Sequence, residues 1–208
     1  MGEQGTIIIL NGTSSAGKSS IARALLPHLP IPAIHSGIDH FLERTPPGFI
    51  TVLPADSPAR VPGLAALFGP EGLVGVRIGP MGYRLLAGMY RAAATLAAAG
   101  VHIVIDDVIY DPEVLRSAVT ILAPYAPLFV GVRCALPVAE ARERARGDRA
   151  PGGARMFAPL VNTHECYDLE IDSSTATPEE SAARIAAFLT AGHPRIAFAT
   201  LAARYEPE

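Results

Sequence analysis

Residues 6–19 read TIIILNGTSSAGKS, a short apolar run followed by a loop rich in glycine and serine. The run from Thr6 to Leu10 is continuous and β-branched, which is typical of a parallel strand that is buried on both faces. Gly12 to Ser19 fits the pattern G-x-x-x-x-G-K-[ST], and helical spacing follows it from Ser20 to Leu29. A strand, a loop and a helix in this order predict a phosphate-binding loop.

The spacing within the loop suits phosphate chemistry. Its glycines let the backbone curl so that successive N–H groups point at phosphate oxygens, and the following helix directs the positive end of its dipole at the same charge. Lys18 would bridge the outer phosphates, and the Ser19 hydroxyl would be a magnesium ligand. We predict that the nucleotide phosphates are bound by the loop residues and the serine after them: Gly12, Thr13, Ser14, Ser15, Ala16, Gly17, Lys18, Ser19 and Ser20.

Lys18 is the only lysine among the 17 basic residues of the chain. The alternative interpretation of the loop is a serine-rich turn with a chance lysine. A compact ammonium, kept in a chain that otherwise uses arginine, favours a site where a planar guanidinium would not serve. The lone lysine and its position between strand and helix therefore favour the phosphate-binding interpretation.

Size and composition limit the class of protein. The chain has 208 residues, 50% hydrophobic and 18% charged, with a formal net charge of −3. These values fit a single domain over residues 1–208 and exclude a disordered chain. Proteins that coat nucleic acid or bind membrane surfaces use a basic face, which this charge argues against. The two cysteines lack zinc-ligand spacing, and no run suits a signal peptide or a membrane span, so we expect a cytoplasmic protein.

Strand and helix patterns alternate along the rest of the chain. Short apolar runs predict strands at residues 32–36, 101–105, 128–132 and 169–172. Helical spacing and start signals predict helices at 81–99, from 112, at 137–146 and at 177–189. This alternation predicts an α/β fold with a parallel sheet that is covered by helices on both faces. Ligands bind such sheets at the carboxyl ends of the strands.

Three segments do not fit the alternation. Residues 45–80 hold many prolines and glycines and no clear period, so we expect an irregular lid or pocket wall, with a short helix at Gly63 to Phe68. Gly147 to Ala154 is polar and glycine-rich and is expected to be a mobile loop. The tail at 193–208 is weakly amphipathic and receives no structural assignment.

Asp106 and Asp107 end the predicted strand at 101–105. A carboxylate that directly follows an apolar strand in a phosphate-loop protein commonly holds magnesium. Helix capping or a solvated strand end is the alternative. We predict that at least one of the pair is a metal ligand, with Asp106 the first choice because it directly follows the run.

Asp39 follows the second predicted strand, within the sequence Gly37-Ile38-Asp39-His40-Phe41. In a small phosphate-loop kinase, this position lies across the cleft from the γ-phosphate, where a carboxylate can accept the proton of an attacking hydroxyl. An N-cap for the turn at His40 to Arg44 explains the residue equally well. The residues alone leave both interpretations open.

Arginines are concentrated around residues 142–155, which we interpret as a lid. Arg142 and Arg146 are four residues apart and share a helix face, and Arg149 follows on a turn. Lid arginines stabilise charge on a transferred phosphoryl group, and a closed lid excludes water. The alternative is a solvated helix face that pairs with Glu140 and Glu143.

Taken together, these motifs resemble those of the chloramphenicol phosphotransferases of antibiotic-producing actinobacteria. The similarity extends to about Leu189 and rests on short segments spread over most of the chain. They are Ile9-Leu10-Asn11-Gly12, Ser14-Ser15-Ala16-Gly17-Lys18-Ser19, Gly37-Ile38-Asp39, Ile105-Asp106-Asp107-Val108, Val130-Gly131-Val132-Arg133-Cys134, Ala145-Arg146-Gly147-Asp148-Arg149, His164-Glu165, Tyr167-Asp168 and Ile171-Asp172.

The resemblance implies a P-loop kinase fold with a five-stranded parallel sheet. It implies that ATP, with Mg²⁺, donates its γ-phosphate to a primary alcohol of an antibiotic. The catalytic carboxylate of the family falls on Asp39. From the loop motif and the arginine cluster, we expect Lys18 and Arg149 to be catalytic as well. The family's nucleotide-side arginines fall on Arg133 and on the region from Arg142 to Arg149, in which we take Arg142 and Arg146 as nucleotide-binding residues.

The resemblance weakens in two places. Residues 45–80, where the family builds its acceptor pocket, match poorly, and the tail from Gly192 is extra. The reaction type therefore carries over better than the identity of the small-molecule alcohol. A nucleoside, sugar or nucleotide-sugar kinase is the first alternative, and a nucleotide-binding regulator that transfers no phosphate is the second.

Overall fold

The protein is an α/β structure with a central parallel sheet. A computed structural model describes residues 4–147 and 151–205. The strands are β1 (Ile7–Asn11), β2 (Ala33–Gly37), β3 (Ile50–Pro54), β4 (Leu64–Gly69), β5 (Gly72–Ile78), β6 (His102–Asp107), β7 (Leu128–Arg133) and β8 (Leu169–Asp172). The helices are α1 (Lys18–Leu25), α2 (Ile38–Leu42), α3 (Pro80–Ala98), α4 (Pro112–Leu122), α5 (Leu136–Arg146), α6 (Gly153–Phe157), α7 (Pro178–Thr190) and α8 (Ala197–Ala203).

The main sheet has the order β2-β6-β1-β7-β8 within the described ranges, and every pairing in it is parallel. Strand β1 lies at its centre and is buried along its whole length. Ile7 and Ile9 belong to the hydrophobic core under α3, α4 and α8, whereas Ile8 and Leu10 belong to the core under α1 and α7. Successive side chains of a strand point to opposite faces, so a continuous β-branched run fills two cores at once. The predicted α/β fold with a five-stranded parallel sheet and helices on both faces is confirmed.

Strand register brings the candidate residues to one edge of this sheet. Asn11 pairs with Asp107 across β1 and β6, and Gly37 pairs with Asp106 across β2 and β6. The loop after β1, the acidic pair and the start of α2 therefore lie side by side at the carboxyl ends of the strands. Open parallel sheets bind ligands at this edge.

The expectation of an irregular segment at 45–80 is wrong, because these residues form a second sheet in the order β3-β4-β5. Strands β3 and β4 are parallel, and β4 and β5 are antiparallel with a register shift between Leu67 and Phe68. The helix expected at Gly63 to Phe68 is instead strand β4. Alanines and glycines dilute the β-branched pattern, so cross-strand pairing, which includes the β4–β5 hairpin closed between Gly69 and Gly72, specifies these strands more than intrinsic propensity does.

The described part of the tail, residues 193–205, belongs to the core rather than forming an appendage. Phe198 and Leu201 of α8 are each 1% exposed. One oxygen of the Asp168 side chain accepts hydrogen bonds from the Ile196 and Ala197 amides at 2.7 and 2.8 Å, and the other accepts one from the Phe129 amide at 2.9 Å. Asp168 therefore ties the start of α8 to strand β7. None of the described helices combines the length and the apolar character needed to cross a bilayer.

His164, which stacks on Phe129 in this region, should make stability depend on pH. Burial, reinforced by the charges of Arg133 and Arg204, lowers the pKa of His164 to about 4. Below its ordinary pKa of about 6.5, the unfolded chain therefore binds a proton that the folded chain does not, and stability falls as the pH falls towards 4.

We expect His164→Gln to remove this dependence of the unfolding free energy on pH. In urea titrations, the difference in unfolding free energy between the wild type and the variant should narrow by roughly 1 to 2 kcal/mol from about pH 7.5 to about pH 4.5, after allowance for partial exposure. A difference that stays constant with pH would contradict the assignment.

Candidate active site

The loop between β1 and α1 folds into a concave turn. Ser15 and Gly17 have φ angles of 60° and 88°, in the left-handed region, and Gly17 is the N-cap of α1. Such turns direct backbone N–H groups inwards and form anion-binding nests, and a glycine adopts the conformation without strain. The predicted phosphate loop thus has the backbone shape and the following helix that its motif requires.

The Lys18 side chain lies along this loop and is only 7% exposed. Its Nζ atom donates hydrogen bonds to the carbonyl oxygens of Gly12 at 2.9 Å and of Thr13 at 2.7 Å. The ammonium is therefore held at the mouth of the loop by backbone acceptors. A flexible side chain with three donors can keep such bonds while it also contacts a phosphate oxygen.

Asp106 is held between Ser19 and His35. The Ser19 hydroxyl donates to Asp106 Oδ2, and His35 Nε2 bonds to Asp106 Oδ1 at 2.9 Å. Gly37 permits this approach, because a Cβ atom there would lie 1.9 Å from Asp106 Oδ1. Burial alone would raise the pKa of Asp106, but the bonds from His35 and Ser19 and the charge of Lys18 lower it to about 2. Asp106 is therefore an ionised carboxylate beside a hydroxyl.

Asp107 faces a different environment from its neighbour. It is 2% exposed, and its carboxylate accepts hydrogen bonds from the Tyr90 hydroxyl at 2.6 Å and from the Val108 amide at 2.7 Å. Burial raises its pKa to about 6, against the lowering effect of these bonds. The structure thus places Asp106 beside Ser19 and Asp107 against α3. Asp106 stays the first candidate metal ligand; Asp107 also lines a polar cavity of about 470 Å³ beside the phosphate loop, but its carboxylate is held by Tyr90 and Val108.

Asp39 lies in the first turn of α2, whose N-cap is Gly37. The interpretation of Asp39 as an N-cap is therefore wrong, because the helix begins one residue before it. Asp39 lines a polar cavity of about 470 Å³ together with Lys18, Asp106 and Arg146. It also lines an adjoining, smaller cavity of about 160 Å³ with largely apolar walls. Asp39 therefore lies where the polar cavity and the apolar cavity meet.

The predicted arginines occupy three different places. Arg142 Nη2 donates to the Ser173 carbonyl oxygen at 2.7 Å, and Nη1 lies 3.6 Å from the position of a Cβ on Gly17, so this guanidinium lies against the phosphate loop. Arg146 lines the 470 Å³ cavity. Arg133 is half-exposed and forms a two-point ion pair with Glu170. Arg149 lies outside the described residues.

Residues 151–155, which form the last part of the expected lid, are anchored to α5. Glu143 is 6% exposed and accepts hydrogen bonds from the amides of Gly152 at 2.8 Å and Ala154 at 2.9 Å. The Thr13 hydroxyl donates to the Ala154 carbonyl oxygen at 2.8 Å. This part of the expected mobile loop therefore packs on the phosphate loop and on α5.

The donor set at Ser19 and Asp106 fits Mg²⁺. Mg²⁺ prefers oxygen ligands and commonly takes one or two protein side chains, with substrate phosphates and water completing its shell. Within residues 4–147 and 151–205, no cluster of three or more His, Cys, Asp or Glu side chains could hold a metal ion. A metal at this site would therefore depend on the phosphates of the nucleotide.

Two contributors to this edge of the sheet escaped prediction. His35, which received no role from the sequence, orients Asp106 through the pairing of β2 with β6. Asn11 is fully buried, accepts from the Ile109 amide at 2.8 Å and donates to the Val161 carbonyl oxygen at 2.9 Å, so it joins the ends of β1 and β6 to the segment before β8. A polar residue at the end of an apolar strand was the available signal for Asn11, whereas only the pairing of β2 with β6 brings His35 to Asp106.

Comparison with known proteins agrees with this geometry. Residues 5–190 match the family described as chloramphenicol phosphotransferase-like protein. A protein of Mycobacterium tuberculosis strain H37Rv, which carries the provisional name O-phosphotransferase, is 34% identical over 188 residues, covering 87% of this chain and 80% of that protein.

Solved structures share the fold at lower identity. A tunicamycin resistance protein of Deinococcus radiodurans has a TM-score of 0.56 and 19% identity, over 89% of this chain and 96% of that chain. The APS kinase CysC of Mycobacterium tuberculosis, in complex with AMPPNP and APS, has a TM-score of 0.53 and 15% identity, over 91% and 99%. These likenesses show the P-loop kinase fold. The match over residues 5–190 and the identity with the mycobacterial protein show that this chain belongs to the chloramphenicol phosphotransferase-like family.

Proposed function

We propose that this phosphotransferase moves the γ-phosphate of ATP to a hydroxyl group of a small molecule. The observation that carries the proposal is the 470 Å³ cavity, which brings the phosphate loop, Lys18, the Ser19–Asp106 pair and Asp39 to one space. Phosphoryl transfer needs anion binding on one side and a group that orients a hydroxyl on the other, and this cavity offers both.

Each residue has a role that follows from its position. The loop amides and Lys18 bind the phosphate oxygens and stabilise the charge that develops on them. The acceptor oxygen forms a bond to the γ-phosphorus while the bond from that phosphorus to the bridging oxygen of ADP breaks. The Asp39 carboxylate orients the hydroxyl and takes its proton. Arg146, which lines the cavity, is proposed to stabilise the transferred group, and Arg142 to support the loop beside Gly17. The same role is proposed for Arg149 from the sequence alone.

Ser19 and Asp106 are proposed to hold Mg²⁺, with His35 fixing the orientation of the carboxylate. When bound, Mg²⁺ neutralises charge on the phosphates of the nucleotide. Second-shell partners such as His35 hold a ligating carboxylate in one orientation and so limit how many positions the metal can occupy.

The nucleoside of ATP is proposed to lie in a third cavity, of about 310 Å³. Its lining includes Thr13 of the phosphate loop, Arg133, Cys134 and Ser174. These residues lie on the β8 side of the loop, whereas Asp39 lies on the β2 side. An extended triphosphate along the loop would thus reach from the nucleoside cavity on one side to the acceptor cavity on the other.

The acceptor is proposed to be an antibiotic alcohol such as chloramphenicol, in agreement with the family description. The apolar walls next to Asp39, which include Leu64, Val76 and Ile78, suit an alcohol with an apolar body better than a sugar with many hydroxyl groups. Because the reaction consumes ATP, the proposal places the protein in the cytoplasm.

The test is ADP release in the presence of ATP, Mg²⁺ and a panel of alcohols that includes chloramphenicol, nucleosides and sugars. We expect an apolar alcohol to stimulate ADP formation, with mass spectrometry showing one phosphate added to that alcohol. Stimulation by nucleosides or sugars alone would favour the alternative kinases. Tight ATP binding with no turnover on any acceptor would favour a nucleotide-binding regulator.

The acidic pair provides a matched test of the metal site. Asp106→Asn replaces the carboxylate that contacts Ser19 with a neutral amide, which is a weaker metal ligand. We therefore expect the Mg²⁺ concentration for half-maximal activity to rise about tenfold or more. Asp107→Asn should leave this concentration unchanged, because the Asp107 carboxylate bonds to Tyr90 and Val108. Equal Mg²⁺ requirements in the two variants would contradict the assignment.

A further inference from the structure

The 160 Å³ cavity beside Asp39 is lined in part by Tyr110, a tyrosine whose hydroxyl group has an unusual environment. The Tyr110 hydroxyl oxygen is buried and has no hydrogen-bond partner among the described residues. Tyr110 lines this cavity, and its ring lies 4.9 Å from that of Phe157, centroid to centroid. Burying a hydroxyl without a partner costs free energy, so an exception of this kind in a folded protein calls for an explanation.

Neighbouring tyrosines in the same region are paired. The Tyr83 hydroxyl donates to Asp111 Oδ2 at 3.1 Å, and the Tyr90 hydroxyl donates to Asp107 Oδ2 at 2.6 Å. Two carboxylates close to the cavity are thus each bonded to another phenol. Burial raises the pKa of Tyr110, so its hydroxyl keeps its proton at physiological pH and is available as a donor.

The cavity has the size and walls of a site for one small ring. A cavity of about 150 Å³ lined by Leu, Ile and Phe side chains binds benzene in a well-studied case. Here, apolar side chains from β4, β5, α3 and α4 line a similar volume, among them Leu64, Ile78, Leu86 and Val114. The few polar side chains that line this cavity therefore determine which polar groups a bound molecule needs.

Asp39 and Tyr110 are two of these polar side chains. Asp39 also lines the polar cavity that contains Lys18, so a hydroxyl oriented by Asp39 lies next to the phosphate site. Tyr110 borders the apolar cavity only. A ring in this cavity would present its reactive hydroxyl to Asp39. A second polar atom of the ring would bond to the Tyr110 hydroxyl once that side chain shifts to expose its oxygen, which protein atoms cover.

We propose that Tyr110 is a specificity-determining residue, which selects alcohols with one ring-sized apolar body and a second, hydrogen-bond-accepting atom on that body. The proposal rests on the proposed phosphotransfer at Asp39 for the orientation of the acceptor. A site with a buried donor rejects an analogue that lacks the matching acceptor, because the donor then stays unpaired. The hydroxyl of Tyr110 thus disfavours a purely apolar alcohol of the same size.

Benzyl alcohol and the three isomers of pyridinemethanol provide a matched set of probes. They have the same size and the same hydroxyl, and the isomers add one ring nitrogen that can accept a hydrogen bond. Dissociation constants are measured by ligand-observed NMR on the protein saturated with AMPPNP and Mg²⁺. We expect the best isomer to bind the wild type about tenfold more tightly than benzyl alcohol does.

Tyr110→Phe keeps the ring and removes the hydroxyl, so we expect the variant to bind all four alcohols about equally. Its melting temperature should equal or exceed that of the wild type, because an unpaired buried hydroxyl is lost. Tyr83→Phe is the control: it removes a hydroxyl that is already paired with Asp111, and the preference for the best isomer should persist.

Three results would overturn the proposal: no binding of the four alcohols, the same preference in the wild type and Tyr110→Phe, or a lower melting temperature of Tyr110→Phe. Phosphotransfer is read separately, as ADP release with the same alcohols. Loss of the preference in Tyr110→Phe without any ADP release in the wild type would support the role of Tyr110 in binding and count against the proposed function.

Discussion

Lys18→Ala is expected to lower kcat/KM for phosphotransfer about a thousandfold and to weaken ATP binding. Lys18 is nearly buried, and its ammonium is fixed at the mouth of the loop by the carbonyl oxygens of Gly12 and Thr13. Alanine removes the cation that would contact the outer phosphates both in the bound nucleotide and as charge develops on them. ADP release and an ATP-binding titration measure the two effects.

Lys18→Arg separates charge from shape. The guanidinium keeps the positive charge but is planar and larger than an ammonium, and the space beside Gly12 and Thr13 is enclosed. We expect this variant to be impaired nearly as much as Lys18→Ala. An active Lys18→Ala protein would refute the assignment of the phosphate loop, and full activity of Lys18→Arg would refute the requirement for a compact cation.

Asp39→Asn is expected to lower kcat between a hundredfold and ten-thousandfold, as orders of magnitude, and to leave ATP affinity nearly unchanged. The side chain lines both the polar cavity and the apolar cavity, so in the proposed reaction it would contact the acceptor hydroxyl rather than the nucleotide alone. An amide of the same shape keeps the hydrogen-bonding geometry but is a poor proton acceptor. Single-turnover ADP formation and a nucleotide titration distinguish the two effects.

Glu43→Gln is the matched control for Asp39. Glu43 directly follows α2, lies four residues after Asp39 and lines the same polar cavity, but it is exposed. We expect its variant to keep most of the activity. Equal losses of turnover in the two variants would show a general charge effect of this helix, and equal losses of ATP binding and turnover in Asp39→Asn would remove Asp39 from the catalytic role.

Local signals predicted the parts of the fold that local interactions specify. The β-branched run before Gly12 is the central strand, and Asp111 caps α4 by accepting bonds from the Glu113 and Val114 amides, as expected from Asp followed by Pro. The sheet at β3, β4 and β5 was missed because the prolines, glycines and alanines of residues 45–80 hide the strand pattern, although β4 and β5 pair as a hairpin between Gly69 and Gly72. Helix α8 was missed because Asp168, far upstream, holds its start.

The residues of the candidate site likewise fall into two groups, those that local motifs predict and those that only the packed structure brings to the site. Lys18, Ser19 and Asp106 lie in or directly after motifs whose spacing has a chemical meaning, and the structure brings them together. The role of His35 depends on the register of β2 with β6, which no local pattern reveals. Tyr110 acquires its environment from Phe157 and the cavity walls, so only the packed structure shows that its hydroxyl lacks a partner.

A crystal structure with AMPPNP and Mg²⁺ tests the central claim most directly. We expect the triphosphate in the loop at residues 12–19, with the γ-phosphorus between Lys18 and the Asp39 carboxylate and with Mg²⁺ at Ser19 and Asp106. A triphosphate bound elsewhere, or an Asp39 side chain turned away from the γ-phosphate, would contradict the account.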